Sequence, residues 1–232
     1  MKKRLIITCA IALLFLIIIN GSSSSFAGAE EDIKAESAAS VLKEIMIIPE
    51  KSVPGFLFKD AHAVAVIPEV IKAGFMVGGS YGEGLISVKQ KDGSWSLPCF
   101  LTIKAGSIGF QIGVQSTDVV LVFKSEKSLN NLIKGKFTLG ADAAVAAGPL
   151  GRQAQAGTDI ELKAEIFSYS RSRGVFAGIS LEGAALEIDH DANQKFYNKT
   201  GVRPELIFDG SIKEAPKAAS AFTKTLMTYT KK

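Results

Sequence analysis

Two cysteines and two histidines in 232 residues leave little material for metal sites, disulfides or acid–base catalysis. Cys9 falls in an apolar leader, which leaves Cys99 alone, so an intramolecular disulfide is excluded. Cys99 stands between Pro98 and Phe100 in an apolar pattern and reads as a small core residue. His62 lies among Ala and Val and reads as a partly buried ring, while His190, between Asp189 and Asp191, reads as a solvated helix start. No histidine pair has ligand spacing, and no Gly-x-Ser-x-Gly elbow occurs. Residues 78–84 (GGSYGEG) run into the strand-like Leu85-Ile86-Ser87-Val88 rather than a helix, with no Gly-Lys-Ser/Thr, so they read as a bend in a sheet and not a phosphate loop. Glu161 and Glu165 have the even spacing of one exposed strand face. No catalytic residue, metal site or cofactor is therefore expected.

Strong net charge is lacking too. Of the formal +4, three charges belong to Lys2, Lys3 and Arg4, so the remainder is nearly neutral, which excludes a nucleic-acid binder of the basic-patch type. These three residues precede an apolar run over 5–19, a Ser-rich stretch and the small-x-small Ala27-Gly28-Ala29. That order is the pattern of a secretory signal over 1–29, and the apolar run is shorter than the ~20 residues of a comfortable membrane span. Residues 30–232 are then expected to form one exported domain, placed in the periplasm, on the envelope or outside the cell.

Residues 30–48 have acidic residues in the first turn and Ala38, Val41, Leu42, Ile45 and Met46 at helical spacing, predicting an amphipathic helix that ends before Pro49. Residues 61–67 predict a short buried strand stopped by Pro68. Most of the 22 glycines then fall between 74 and 157, among β-branched and aromatic residues. Strands are predicted at 75–81, 84–89, 95–103, 107–115, 119–123, 136–147, 160–170 and 174–188, with a hairpin turn at Asp92-Gly93. Short helices are predicted at 125–134, capped by Ser125, and at 189–197. The fold class is α+β and β-dominated: a Gly-rich, twisted antiparallel sheet or barrel-like core packed with N- and C-terminal helices. Its parts are a helix and linker over 30–60, a sheet core over 61–198 and a basic helix over 212–232.

In that last segment Ala218, Ala219, Phe222, Leu226 and Tyr229 share one side, and Lys217, Lys224 and Lys231 repeat on the other, followed by Lys232. Two arrangements remain open: the helix lies in a membrane interface, or its apolar side packs on the sheet with the lysines in water. Arg171 and Arg173 at a hairpin and Arg152 in a turn are further cations suited to phosphate.

Ile71-Lys72-Ala73-Gly74-Phe75, Gly93-Ser94-Trp95-Ser96-Leu97-Pro98, residues 109–118 (GFQIGVQSTD), 138–152 (TLGADAAVAAGPLGR), 169–173 (YSRSR), 174–183 (GVFAGISLEG) and 193–197 (NQKFY) resemble the SYLF domain, also called the Ysc84-type actin-binding domain. The resemblance runs from about residue 33 to 208. It implies lipid binding: eukaryotic relatives bind phosphoinositide-rich membranes, and some bind and bundle actin. Relatives that are little more than an export signal and this domain look like bacterial lipid-binding proteins. With the export pattern, the resemblance points to an exported, non-catalytic protein that binds anionic phospholipid headgroups; the residues themselves offer Lys217, Lys224, Lys231, Lys232, Arg152, Arg171 and Arg173 as candidate contacts. Nucleic acid is excluded as a partner, actin is set aside for an exported protein, and self-association is left open. The alternative is a structural or protein-interaction module of the cell envelope. One departure matters: eukaryotic members have a lysine-rich N-terminal helix, whereas here that helix is net acidic and offers Ser37 and Ser40.

Overall fold

The computed structural model describes residues 28–47, 52–149, 163–172, 175–177 and 181–230. In chain order the elements are α1 (Ala29–Ile47), α2 (Gly55–Lys59), β1 (Ala63–Val88), β2 (Cys99–Phe123), α3 (Glu126–Lys134), β3 (Phe137–Thr138), β4 (Val145–Ala147), β5 (Ile166–Ser172), β6 (Val175–Ala177), β7 (Ala185–Ile188), α4 (His190–Phe196), α5 (Pro204–Phe208) and α6 (Lys217–Thr230). Residues 1–27 of the expected signal segment, with Arg152, Glu161, Arg173, Lys231 and Lys232, lie outside the described residues.

The fold is α+β and strand-rich, as its patterning implies. Among the described residues, seven strands form one sheet in the order β3-β7-β2-β5-β4, with β1 on β2 and β6 on β5. All pairings are antiparallel except β4 with β5. Its dominant feature is a ribbon of two very long strands, β1 and β2, paired from Ala63↔Phe123 to Ile86↔Cys99. The six short strands read between 61 and 123 are therefore pieces of two. Pro68 does not stop the first. It sits in an irregularity between Ile67 and Val70, where the ladder skips and the proline's missing N–H costs no bond. Glu69, at φ 47, takes the strained position, and its N–H is satisfied by Asp118 Oδ1 at 3.1 Å.

The ribbon folds back on itself. Gly82 and Gly84 face the 66–70 segment of their own strand. A Cβ on Gly84 would come within 2.3 Å of the Val66 carbonyl oxygen and 2.7 Å of Ile67 Cα. Only glycine allows the two legs to meet this closely. Between the legs lies an apolar core that includes Ile67, Leu85, Leu101, Val119 and Leu121.

The turn at 91–93 closes the ribbon as expected, with Gly93 at φ 83 and Asp92 Oδ1 accepting from the Ser94 N–H. The anticipated N-cap is also present, Ser125 Oγ accepting from the Ser128 N–H, and Asp189 Oδ1 caps α4 in the same way by accepting from the Ala192 N–H. Residues 136–147 depart from the single strand expected. A turn at 140–142, held by Asp142 Oδ2 on the Thr138 N–H and by Gly140 at φ 86, splits them into β3 and β4. The 174–188 stretch is likewise divided into β6 and β7 by the turn at Glu182-Gly183.

Cys99 is fully buried, and burial pushes its thiol pKa up, so it is a core residue without thiolate chemistry. The buried Asn193 side chain ties α4 to the start of β2, accepting from the Phe100 N–H at 2.8 Å. His62, by contrast, is exposed: it precedes β1, whose residues Ala63 to Ile67 are buried on both faces.

The apolar sides of α1 (Ala35, Ala38, Val41, Leu42, Ile45) and α6 (Ala218, Ala219, Phe222, Leu226) are buried, and the two helices pack on each other. Trp95 Nε1 donates to Thr230 Oγ1 at 2.8 Å and fixes the end of α6. Of the two arrangements open for the C-terminal helix, burial of its apolar side is the one found, chiefly against α1 rather than the sheet, with Lys217 and Lys224 exposed.

Candidate functional site

The middle of the ribbon is unlike the rest of the sheet. β2 pairs with β7 over 101–104 and with β5 over 118–123. Between these stretches, among the described residues, neither β1 nor β2 has a second strand neighbour. In an antiparallel pair, directly opposed residues share a face. Ile71 with Ser116, Ala73 with Val114, and Tyr81 with Lys104 therefore line one face of this arm, called outer here. That face is open to water: Ile71 is 51% exposed, Val114 72% and Tyr81 47%. Residues 70–82 and 103–117 contain no Asp or Glu; their charges are Lys72 and Lys104. Ile71 and Val114 thus stand exposed where the arm's own residues carry no carboxylate, while Lys104 is paired with Glu187 of β7 at 2.8 Å and Lys72 lies on the opposite face.

Under the bend, the other face encloses a cleft of about 290 Å³. Val70, Lys72, Gln115 and Thr117 line it from one leg, and Ser80 and Ile103 from the other. Leu181, Glu182 and Ala184, just before β7, close one side. The Glu182 stem lies over Gly140, where a Cβ would approach Glu182 Cγ to 3.0 Å.

The candidate cations reach different fates. Lys217 and Lys224 are exposed along α6, about two turns apart, without ion pairs among the described residues. Arg171 is held between Glu44 of α1 at 2.5 Å and Asp118 of β2 at 2.9 Å. Burial alone would lower its pKa, but both carboxylates outweigh that and raise it, so its charge is already matched inside the fold. Arg171 pins α1 to the sheet rather than waiting for a phosphate. Asp118 closes the set by also holding the strained Glu69 N–H. The Arg171 ring of contacts, the arm and the cleft were not singled out from the sequence. The absence of acidic residues over 70–82 and 103–117 was the available signal for the arm.

A second ionic cluster braces the arm's base. Lys34 pairs with Glu30 at 2.8 Å and with Glu83, which also accepts from the Tyr81 hydroxyl at 2.6 Å. Burial would raise the Glu83 pKa, but the bonds from Lys34 and Tyr81 outweigh it and hold it below 4.5. Burial and Glu83 push the Tyr81 hydroxyl up to about 12. A carboxylate with a depressed folded pKa contributes stability above its unfolded value and loses it as pH falls through the folded one. Stability is therefore expected to drop below about pH 4.5, and Glu83→Gln should flatten that drop while costing about 1 kcal/mol or less at neutral pH. Urea unfolding at pH 7 and pH 3 checks both.

Residues 104–229, more than half of the chain and reaching from the arm to α6, match the sequence profile of the family described as "Ysc84: Las17-binding protein actin regulator". The chain belongs to the Ysc84 family. It is 36% identical over 209 residues to SH3 domain-containing YSC84-like protein 1 of Xenopus laevis, covering 87% of this chain and 62% of that protein. It is 36% identical over 170 residues to the protein of the same name from Homo sapiens, covering 71% and 49%. To Protein YSC84 of Saccharomyces cerevisiae it is 37% identical over 172 residues, covering 73% of this chain and 36% of that protein. The chain thus spans about three-fifths or less of the length of these relatives. All three are eukaryotic, and their names do not describe enzymes. Among the described residues no helix is long and apolar enough to cross a membrane.

Proposed function

We propose that this Ysc84-family chain is an exported, non-catalytic protein that docks peripherally on anionic phospholipid membranes. The observation that carries the reading is the arm: a two-stranded ribbon with Ile71, Val114 and Tyr81 open to water and no carboxylate over 70–82 and 103–117. The outer face enters the interfacial region, and Lys217 and Lys224 add long-range attraction. Lys231, Lys232, Arg152 and Arg173 belong to the same reading as further headgroup contacts; Arg171, already neutralised, does not. The basic, apolar, Ser-rich start of the chain supports export, and with it an exported lipid-binding protein of the bacterial type. Phosphoinositides enter only as one anionic headgroup class among others.

A lysine near an anionic surface contributes roughly 1 kcal/mol. Lys217→Gln/Lys224→Gln should therefore weaken co-sedimentation with phosphatidylglycerol vesicles roughly ten- to thirty-fold at low salt, and high salt should erase the difference. Unchanged binding would remove α6 from the membrane contact.

The second reading is a protein-interaction module. It is favoured by the family's description as Las17-binding and by the edges of the arm, unpaired among the described residues, which could accept a strand from a partner, actin-regulating or other. Indifference to every vesicle with stable self-association or strand capture is the result that would favour it.

A further inference from the structure

The cleft under the bend holds two opposite charges that ignore each other. Lys72 and Glu182 line the same 290 Å³ space, yet neither side chain forms an ion pair with the other or with any described residue. Around them stand the hydroxyls of Ser80 and Thr117 and the amide of Gln115, whose Nε2 is steered onto Ser172 Oγ at 3.1 Å. Val70, Ile103, Leu181 and Ala184 supply apolar walls. Two charges of opposite sign, unpaired among the described residues and placed on β1 and on the turn before β7, complement a small zwitterion. A lone anion would meet the Glu182 carboxylate, and a lone cation would meet Lys72.

We infer that this cleft binds a phosphoethanolamine group, with the phosphate on Lys72, Ser80 and Thr117 and the primary ammonium on Glu182. A primary ammonium donates hydrogen bonds to a carboxylate, which a trimethylammonium cannot do. The volume, at the lower end of small-ligand cavities, suits a headgroup rather than a whole diacyl lipid. The site opens beneath the arm whose outer face is proposed to meet the membrane, so the inference rests on the lipid reading for its source of ligand. The headgroup could also come from free O-phosphoethanolamine.

The test separates these. Binding of the full chain is measured to phosphatidylglycerol vesicles carrying equal fractions of either phosphatidylethanolamine or phosphatidylcholine. O-phosphoethanolamine, inorganic phosphate and ethanolamine are titrated in parallel by NMR. The expected result is about tenfold tighter binding to the ethanolamine vesicles. Glu182→Gln and Lys72→Gln should each abolish that preference, with Glu182→Gln leaving binding to pure phosphatidylglycerol within about twofold. O-phosphoethanolamine should shift the resonances of Ser80, Gln115 and Thr117 more than either half-molecule. Vesicle binding without the preference, and without those shifts, overturns the cleft and spares the membrane reading. Shifts without any vesicle binding keep the cleft, assign it the free compound and overturn the membrane reading. Inorganic phosphate binding as tightly as the zwitterion overturns the role of Glu182.

Discussion

Replacing Ile71 and Val114 together with aspartate is expected to reduce vesicle binding by about 1000-fold while leaving the protein folded. Burying an aliphatic side chain of this size contributes about 1.5–3 kcal/mol, so two contribute roughly 3–6, and tenfold in affinity is 1.4 kcal/mol. The new carboxylates would further be repelled by anionic headgroups. Both positions are on the exposed face, Ile71 opposite Ser116 and Val114 opposite Ala73, where no core contact is lost. Stability should therefore change by about 1 kcal/mol or less. Co-sedimentation and urea unfolding read the two quantities separately. A folded variant that still binds vesicles like the parent would remove the arm from the interface.

The second large effect is on the fold. Gly84→Ala is expected to cost about 3 kcal/mol, at the upper end of overpacking penalties, because the added methyl meets backbone rather than a movable side chain. The Val66 carbonyl oxygen and Ile67 Cα must shift, and that separates the two legs of the ribbon. Gly106 is the internal comparison. It lies in the same ribbon, and a Cβ there meets nothing within 4 Å, so Gly106→Ala should be near neutral or slightly stabilising through reduced freedom of the unfolded chain. Urea denaturation of the two variants compares them. Equal stabilities would mean that the legs are not in close contact.

These two expectations mark what the sequence showed and what it concealed. Local chemistry was legible: the acidic first turn of α1, the cap at Ser125, the Asp92-Gly93 turn and the burial of Cys99 all appear where residue types put them. Strand continuity was not. Pro68 and the glycines between 74 and 84 carry the composition of breaks, but a two-stranded ribbon absorbs proline at an irregularity and uses glycine to bring its legs together. The helical stripe of α6 was legible, yet its partner was not, because periodicity gives a face and not what covers it. Arg171 looked like an exposed hairpin cation, since Glu44 and Asp118 are distant in sequence and meet it only in the fold. The cleft has the same origin: Lys72, Gln115 and Glu182 come from three separate stretches.

Membrane depth at two positions tests the central claim most directly. A nitroxide attached through Ile71→Cys, on the outer face of the arm, is compared with one attached through Glu126→Cys at the exposed start of α3; the buried Cys99 should remain unlabelled. On anionic vesicles the label at 71 is predicted to become accessible to oxygen and shielded from water-soluble relaxants, while the label at 126 stays in water. Both labels remaining in water on vesicle-bound protein would contradict the account.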